Sequence, residues 1–220
     1  MRYRVLHRWD LSPKEAIRAQ KRIRELSAFK RFSAKKIRLI AGVDVSVKND
    51  RSKAAIVILT YPGLEKKEIV TASEKTRFPY VPGLLTFREG PVILKCIEKL
   101  TLEPDLFIFD GQGLAHPRKT GLATHMGVIL DRPSIGSAKS HLYGTYRDPG
   151  NKKGDFSLVE DKDGNPIGAV LRTRDKTNPV FVSPGHLTDI GSSIKIILAC
   201  SPKYKIPEPI RAAHNAALQV

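Results

Sequence analysis

Three acidic residues that lie far apart in the chain, Asp44, Glu89 and Asp110, occupy unusual surroundings for carboxylates. Asp44 falls inside an apolar segment between small residues, and Asp110 ends a short apolar run just before a Gly-Gln-Gly sequence. Carboxylate oxygens are the ligands that hard cations such as Mg²⁺ prefer. A bound Mg²⁺ can activate water and stabilise a leaving oxygen. The three carboxylates therefore predict a magnesium site for hydrolysis.

A helical stripe of apolar residues places Glu89 on a buried face; the stripe comprises Leu85, Val92, Ile93 and Cys96. A carboxylate there must be paired, hydrogen-bonded or metal-bound. In the alternative interpretation, Gly90-Pro91 starts a new helical segment and Glu89 stands near its N-terminus. The residues alone leave both interpretations open.

Asp44 and Asp110 also have ordinary structural explanations. Asp44 could be an edge residue or a hydrogen-bonded partner, and Asp110 could form a turn before a helix. Against this, ligands of α/β sheets bind outside the carboxyl ends of strands, where Asp110 is expected. The glycines after it let the backbone approach a ligand and expose N–H donors. Zinc is disfavoured, because the sequence has no CxxC or HExxH spacing.

The chain of 220 residues is strongly basic, with 38 Lys and Arg against 22 Asp and Glu and a formal charge of +16. Such a field favours a polyanionic partner, and nucleic acid is the most common one. A solvated basic surface is the simpler alternative. A membrane surface is disfavoured, because no segment shows a long basic amphipathic pattern.

The helices and strands that must position these residues are predicted from the spacing of apolar residues and from capping and turn residues. Ser12, Pro13 and Glu15 form a helix start, and the helix runs to about residue 27. Further helices are predicted around Val92–Leu100, at 122–130, from about 188 to 199 and from about 208 to 218. Strands are predicted at 38–47, 54–60, 67–73, 106–110, 134–138, 166–172 and 180–182.

This order predicts an α/β fold in a single domain over residues 1–220. The order indicates a mixed sheet of about five core strands, the first three antiparallel, flanked by helices and followed by extra C-terminal strands. A ribonuclease H-like core is compatible with this order, as one topology among several. Cys96 and Cys200 read as reduced, buried thiols. Without a signal peptide or an apolar run of membrane-spanning length, a cytoplasmic location is expected.

Seven stretches, in order over nearly the whole chain, resemble the endonuclease V family. They are GVDVS (42–46), FPYVPG (78–83), FREGP (87–91), DGQGLAHPR (110–118), IGSAKS (135–140), FVSPGH (181–186) and EPIRAAH (208–214). Their length, composition and order make the resemblance specific. Ser137 departs from the pattern, which has an apolar residue there, and we expect it to retune activity rather than abolish it.

The resemblance implies a ribonuclease H-like fold and a repair enzyme that recognises deoxyinosine. Such an enzyme hydrolyses the second phosphodiester bond on the 3′ side of the lesion and leaves the lesion in the nicked strand. The resemblance also implies Mg²⁺ as cofactor, with Mn²⁺ as a substitute. Asp44 and Asp110 would be metal ligands, and Glu89 would complete the acidic site. Lys139 would contact the scissile phosphate or water, and His214 would reach the metal site. A surface lysine and a packed helical histidine are the ordinary alternatives.

The same resemblance implies residues that find the lesion. A rigid loop, Pro79-Tyr80-Val81-Pro82, would act as a wedge that fills the gap left by a flipped nucleotide. The residues alone favour a proline-rich turn with a packed tyrosine over a wedge. A pocket for the flipped base would involve Gly83, Leu85, Gly111, Gly113 and His116. Together with Arg118, His116 could equally contact phosphate.

Double-stranded or single-stranded DNA containing deoxyinosine is the expected partner of a monomeric enzyme. Two other functions compete with this prediction. The same site could cleave RNA at inosine, where a 2′-hydroxyl would decide. Alternatively, the protein could be a non-catalytic basic module that only binds nucleic acid.

Overall fold

The computed structural model describes residues 1–219, and its first three strands form the predicted antiparallel meander. These strands are β1 (Leu39–Lys48), β2 (Arg51–Thr60) and β3 (Lys66–Lys75). β2 begins earlier than the pattern indicated, because a two-residue turn connects it to β1. Asn49 and Asp50 both have positive φ there, at 49° and 55°, as short hairpin turns require.

Two further strands lie parallel to β1 and complete the central sheet. β4 (Leu106–Phe109) pairs with β1, and β5 (Ser134–Ala138) pairs with β4. The resulting order, β3-β2-β1-β4-β5, with an antiparallel meander and two parallel additions, is the ribonuclease H-like arrangement. The predicted fold class is therefore confirmed. All four residues of β4 are buried, which explains its continuous apolar sequence.

Helices cover both faces of the sheet. α2 (Leu85–Lys99) and α3 (Leu122–Leu130) pack on one face, and α4 (Ile190–Ala199) and α5 (Glu208–Ala217) pack on the other. α1 (Pro13–Leu26) has the predicted capping box and packs near the start of α2. Both cysteines are free and buried. Within residues 1–219, no helix is long and apolar enough to cross a membrane.

α2 corrects one alternative from the sequence. The helix begins at Leu85 and continues through Pro91, so Gly90-Pro91 does not start a new segment. Glu89 therefore lies inside the helix and is buried, rather than capping an exposed N-terminus. Pro91 lacks an N–H group, which removes the helical hydrogen bond to Phe87, four residues earlier.

The C-terminal part of the sheet is larger than predicted. β6 (Thr145–Tyr146), β7 (Phe156–Glu160), β8 (Pro166–Leu171) and β9 (Val180–His186) extend the sheet antiparallel beyond β5. β8 and β9 match predicted strands, and β9 is longer. β6 and β7 were not predicted, because β6 has two exposed residues and β7 buries a single side chain well.

Candidate active site

Asp44 and Asp110 come together because β1 and β4 are parallel neighbours. Asp44 lies on β1, and Asp110 follows the last residue of β4. The backbone N–H of Asp110 donates to the carbonyl oxygen of Val43 at 3.0 Å, which continues the β1–β4 ladder by one step. The two carboxyl groups therefore meet at the carboxyl end of the central sheet, where α/β proteins bind ligands.

α5 brings His214 to the same place. His214 Nδ1 lies 2.9 Å from Asp44 Oδ2. The helix can lie this close because β1 has a glycine beneath it: a Cβ atom on Gly42 would stand 2.0 Å from the carbonyl oxygen of Pro209. The small neighbour of Asp44 thus makes room for α5, which presents the histidine to the carboxylate.

Lys139 lies directly after β5 and pairs with the second aspartate. Its Nζ is 2.6 Å from Asp110 Oδ2, and half of its side chain remains exposed. Burial lowers the pKa of Lys139, but the hydrogen bond and charge of Asp110 outweigh it, so the net pKa is raised. Lys139 is therefore a fixed, half-exposed cation beside the carboxylates, as a phosphate contact requires.

Glu89 approaches the pair from α2 and is buried, as Asp44 is. Burial, and then the charges of Asp44 and Asp110, raise the pKa of Glu89 to about 8, with Arg88 opposing weakly. Burial and Asp44 also raise the pKa of Asp110, although Lys139 acts against them. A bound cation would offset the negative charge that raises the pKa of Glu89 and Asp110.

The donor chemistry of this cluster fits a hard divalent cation. Asp44, Glu89 and Asp110 offer carboxylate oxygens, and a bound cation would favour the ionised forms of Glu89 and Asp110, whose pKa values are raised. Their present arrangement is looser than a closed metal site. Across residues 1–219, no group of three His, Cys, Asp or Glu side chains converges tightly enough to hold an ion. Instead, the ammonium of Lys139 neutralises Asp110.

A cavity of about 330 Å³ opens beside the acidic cluster, and Asp110 and Lys139 form part of its wall. Ligand pockets of proteins typically measure about 300–1,000 Å³. The predicted lesion-recognition residues that line it are Tyr80, Val81, Pro82, Gly83, Leu85, Gly111 and His116. The remaining lining includes apolar side chains such as Leu122 and Leu142, so the cavity could hold a flat heterocycle.

The carbonyl oxygen of Gly83 shapes the mouth of this cavity, because three side chains converge on it. Gln20 Nε2 donates at 2.9 Å, Arg118 donates through its guanidinium at 2.7 Å, and His116 Nε2 lies at 3.0 Å. Gly83 has φ +77°, a conformation that suits glycine. We call Gln20, His116 and Arg118 the Gly83 clamp; it fixes the end of the loop that carries Tyr80.

The protonation of His116 follows from these contacts. Its Nδ1 accepts the backbone N–H of Arg118 at 3.1 Å, so Nε2 carries the proton and donates to Gly83. Burial, and then the nearby charge of Arg118, lower the pKa of His116 to about 4. His116 is therefore a neutral donor at physiological pH, with both ring nitrogens occupied.

Comparison with known proteins identifies the family to which this chain belongs. The family model described as Endonuclease V matches residues 20–215. Endonuclease V of Methanothrix thermoacetophila is 48% identical over 219 residues, covering 100% of this chain and 96% of the relative. The chain belongs to the endonuclease V family.

Solved endonuclease V structures share the whole fold. The Bacillus subtilis enzyme superposes with a TM-score of 0.94 at 29% identity, covering 100% of this chain and 96% of its own. The Ciona intestinalis enzyme, solved with a 24mer DNA containing an inosine followed by a ribo-adenosine, has a TM-score of 0.83 at 25% identity. That match covers 94% of this chain and 96% of the Ciona chain. The enzyme class, an endonuclease, follows from family membership.

Some residues predicted for base recognition lie elsewhere in this endonuclease V fold. Gly113 is buried outside the cavity, and its N–H donates to Ser183 Oγ at 2.8 Å. A Cβ atom there would stand 2.2 Å from the carbonyl oxygen of Pro184, so this glycine serves close packing against β9. Arg118 does not line the cavity, but it donates a hydrogen bond to the carbonyl oxygen of Gly83, which does. Pro79 is exposed beside Tyr80.

Two polar residues of the cavity were missed from the sequence. Gln20 is 1% exposed and forms part of the Gly83 clamp. Gln112 is also buried, and its Nε2 donates to the carbonyl oxygen of Ser140 at 3.0 Å. Gln20 shares the buried stripe of α1 with Ala16, Ala19 and Ile23. A polar residue on such a stripe must find partners, and that signal was available in the sequence.

Proposed function

We propose that this endonuclease acts on DNA containing deoxyinosine and hydrolyses the second phosphodiester bond on the 3′ side of the lesion, leaving the lesion in the nicked strand. The proposal depends on one observation, that the acidic cluster and the cavity share two residues. Asp110 and Lys139 belong to both. A base held in the cavity therefore brings its own strand across the carboxylates.

The cavity suits a base that has left the duplex. Tyr80 is 72% exposed at its mouth, between two prolines that limit the loop's freedom. An aromatic side chain in this position can stack in the gap of the helix and offset the cost of flipping. Hypoxanthine lacks the exocyclic amine of guanine, so a close cavity can exclude guanine sterically.

Asp44 and Asp110, with Glu89, would hold Mg²⁺, and Mn²⁺ offers the same ligand preferences. When bound, such a cation activates water and stabilises the leaving oxygen. His214 orients the carboxylate of Asp44 through their 2.9 Å contact. Lys139 is held by Asp110 with its ammonium half exposed, where it can contact the phosphate of the bound strand.

A cleavage assay with matched oligonucleotides tests the proposal. One substrate carries deoxyinosine in DNA and the other carries inosine in RNA, and each is incubated with Mg²⁺ or with EDTA. We expect a nick one nucleotide past the deoxyinosine with Mg²⁺, and none with EDTA or with Asp110→Ala. Cleavage of the RNA alone would assign the enzyme to inosine in RNA. Strong binding without cleavage under any divalent cation would leave only a binding module.

A further inference from the structure

A second groove, of about 420 Å³, lies on the other side of Lys139 from the base cavity. Lys139 lines both spaces, and His214 lines the groove while contacting Asp44. The acidic cluster therefore stands between two concave sites. A flipped base in the cavity would not occupy the groove.

The groove combines cations with an exposed aromatic ring. Its walls include Arg174, Lys205 and Arg211, and Tyr204 lies among them with 38% of its surface exposed. The guanidinium carbon of Arg211 lies 4.3 Å from the centroid of the Tyr204 ring. Basic grooves with aromatic platforms are the usual way in which proteins hold single-stranded nucleic acid.

Arg174 and Lys205 supply the positive charge that the groove offers to a ligand, because Arg211 is paired with an acid of its own helix. The guanidinium of Arg211 donates two hydrogen bonds of 2.8 Å to the carboxylate of Glu208, which fixes it against the Tyr204 ring. Arg174 is exposed. The backbone of Lys205 is anchored by a hydrogen bond from Thr173 Oγ1 to its carbonyl oxygen at 2.6 Å. The groove thus offers positive side chains at a rigid position, which suits the phosphates of a polynucleotide.

We infer that this groove, formed by Arg174, Tyr204, Lys205 and Arg211, binds the nucleotides of the cleaved strand that follow the scissile phosphate. The inference rests on the proposed function: cleavage occurs 3′ of the flipped base, so a strand that leaves the base cavity and crosses the carboxylates continues into the groove. Tyr204 stacks on a downstream base, and Arg174 and Lys205 contact the downstream phosphates. The groove fixes the strand on the far side of the cut.

Substrates of different 3′ length test this assignment. Two deoxyinosine strands are compared, one ending a single nucleotide past the scissile bond and one extending about six nucleotides past it. We expect wild-type kcat/KM to be higher for the long strand. Tyr204→Ala should lower kcat/KM about tenfold on the long strand, the equivalent of about 1.4 kcal/mol of stacking, and leave the short strand unaffected. Tyr204→Phe keeps the ring and should retain wild-type values.

Charge is tested separately, with variants at exposed positions that tolerate substitution. Arg174→Gln should reduce the dependence of log KM on log salt by about one on the long strand. Lys66→Gln, at the start of β3 and at the opposite end of the sheet from Asp44, is the matched control and should change nothing.

Equal losses on both strand lengths, or wild-type values for Tyr204→Ala and Arg174→Gln, would overturn the inference. If Tyr204→Ala unfolds, the salt dependence of Arg174→Gln decides. Failure of the wild type to cut either deoxyinosine strand would count against the proposed function instead, so the two failures are distinguishable.

Discussion

At the scale of single residues, burial decides what the acids of this site can do. Glu89 is 8% exposed within α2, and its pKa is raised to about 8 by burial and by the two aspartates. Asp44 and Asp110 each have a basic partner, His214 and Lys139 respectively. Glu89 therefore carries the largest cost of ionisation, and it is the acid through which the metal-free site responds to pH.

The substitution Glu89→Gln should remove this pH dependence from the free energy of unfolding. The folded pKa of Glu89 lies above its unfolded value of 4.5, so the native state holds a proton that the unfolded chain has released. The stabilising contribution is complete below about pH 4.5 and is lost as pH rises to about 8, by at most about 1.4 kcal/mol per pH unit. Denaturant unfolding in EDTA across this window measures the slope, which should flatten in Glu89→Gln.

The control for this measurement is Glu25→Gln, an equivalent substitution on the exposed face of α1, which should keep the wild-type slope. Added Mg²⁺ should oppose the fall in stability at the upper end of the window, because a bound cation favours the ionised carboxylates. The same slope in wild type and Glu89→Gln would show that Glu89 does not titrate in this range.

Tyr80→Ala should weaken lesion discrimination. The exposed ring can replace the stacking that is lost when the damaged nucleotide leaves the helix, a contribution of about 1–3 kcal/mol per base. We expect kcat/KM on deoxyinosine DNA to fall by roughly tenfold or more, while affinity for undamaged duplex changes little. Tyr80→Phe retains the ring and serves as the control. Equal losses on damaged and undamaged DNA would contradict a wedge role.

At the scale of secondary structure elements, close packing decides which side chains meet. α5 reaches Asp44 because Gly42 offers no side chain beneath Pro209. α1 reaches the mouth of the cavity because Gln20 joins the carbonyl oxygens of Gly83 and Thr120, at 2.9 and 3.1 Å. Neither contact involves catalytic chemistry, yet each determines where a functional side chain stands.

Gly42→Ala should displace α5 and separate His214 from Asp44. A Cβ atom would collide with backbone, which cannot rotate away, so we expect a loss of about 1–3 kcal/mol in the free energy of unfolding. Because the folded remainder loses an aligned His214, kcat should fall as well. Denaturant unfolding and kcat on deoxyinosine DNA measure both effects.

Gly191→Ala is the matched control for this substitution. It lies near the start of α4, where the nearest atom to a new Cβ is a carboxylate oxygen of Asp189 at 3.3 Å, and alanine favours the helix. Stability and kcat close to wild type are expected there. Wild-type stability and kcat in Gly42→Ala would mean that α5 can shift without affecting the site.

Gln20→Met should loosen the Gly83 clamp while roughly keeping side-chain volume. It removes the donor to Gly83 and the acceptor that Arg118 Nε uses at 2.6 Å. The Nε–H of the half-buried Arg118 then loses its acceptor, and the carbonyl oxygens of Gly83 and Thr120 lose a donor, so we expect about 1–3 kcal/mol less stability. Because the loop that carries Tyr80 loses an anchor, discrimination between deoxyinosine and undamaged DNA should fall. Unchanged discrimination in a folded variant would limit Gln20 to a structural role.

At the scale of the whole molecule, the formal charge of +16 governs how the protein meets DNA rather than which site on the DNA it selects. Attraction to phosphates is independent of base identity, so it gathers DNA without finding the lesion. Selection then depends on the base cavity, and cleavage depends on the carboxylates beside it.

Binding should therefore be strongly salt-dependent and equally so with and without the lesion. If the enzyme neutralises about 6–10 phosphates, its affinity should fall by about 10³–10⁵ between about 50 and 200 mM salt. Fluorescence anisotropy in EDTA, with deoxyinosine and undamaged duplexes of one length, should give parallel lines of log K against log salt. A flat line would show that the charge does not face the DNA.

The central part of the fold could be predicted from the sequence because its signals are local. The capping box at Ser12, the alternation along β1 and the apolar run of β4 each determine an element through their immediate neighbours. β7 escaped prediction because its exposed face carries the apolar Phe156 and Leu158, so the order of apolar and polar residues does not follow burial. The start of α2 was left open because Gly90-Pro91 reads locally as a helix start.

The acids themselves, the basic charge and the family motifs were determined by the sequence alone. Only the tertiary structure decided which groups meet: Asp44 with His214 across the Gly42 contact, Asp110 with Lys139, and three side chains on the Gly83 carbonyl oxygen. It also placed Gly113 in packing rather than in the cavity. The physical reason is that residue types are present in the sequence itself, whereas partners come from strand order and helix packing, which join segments 29 to 170 residues apart.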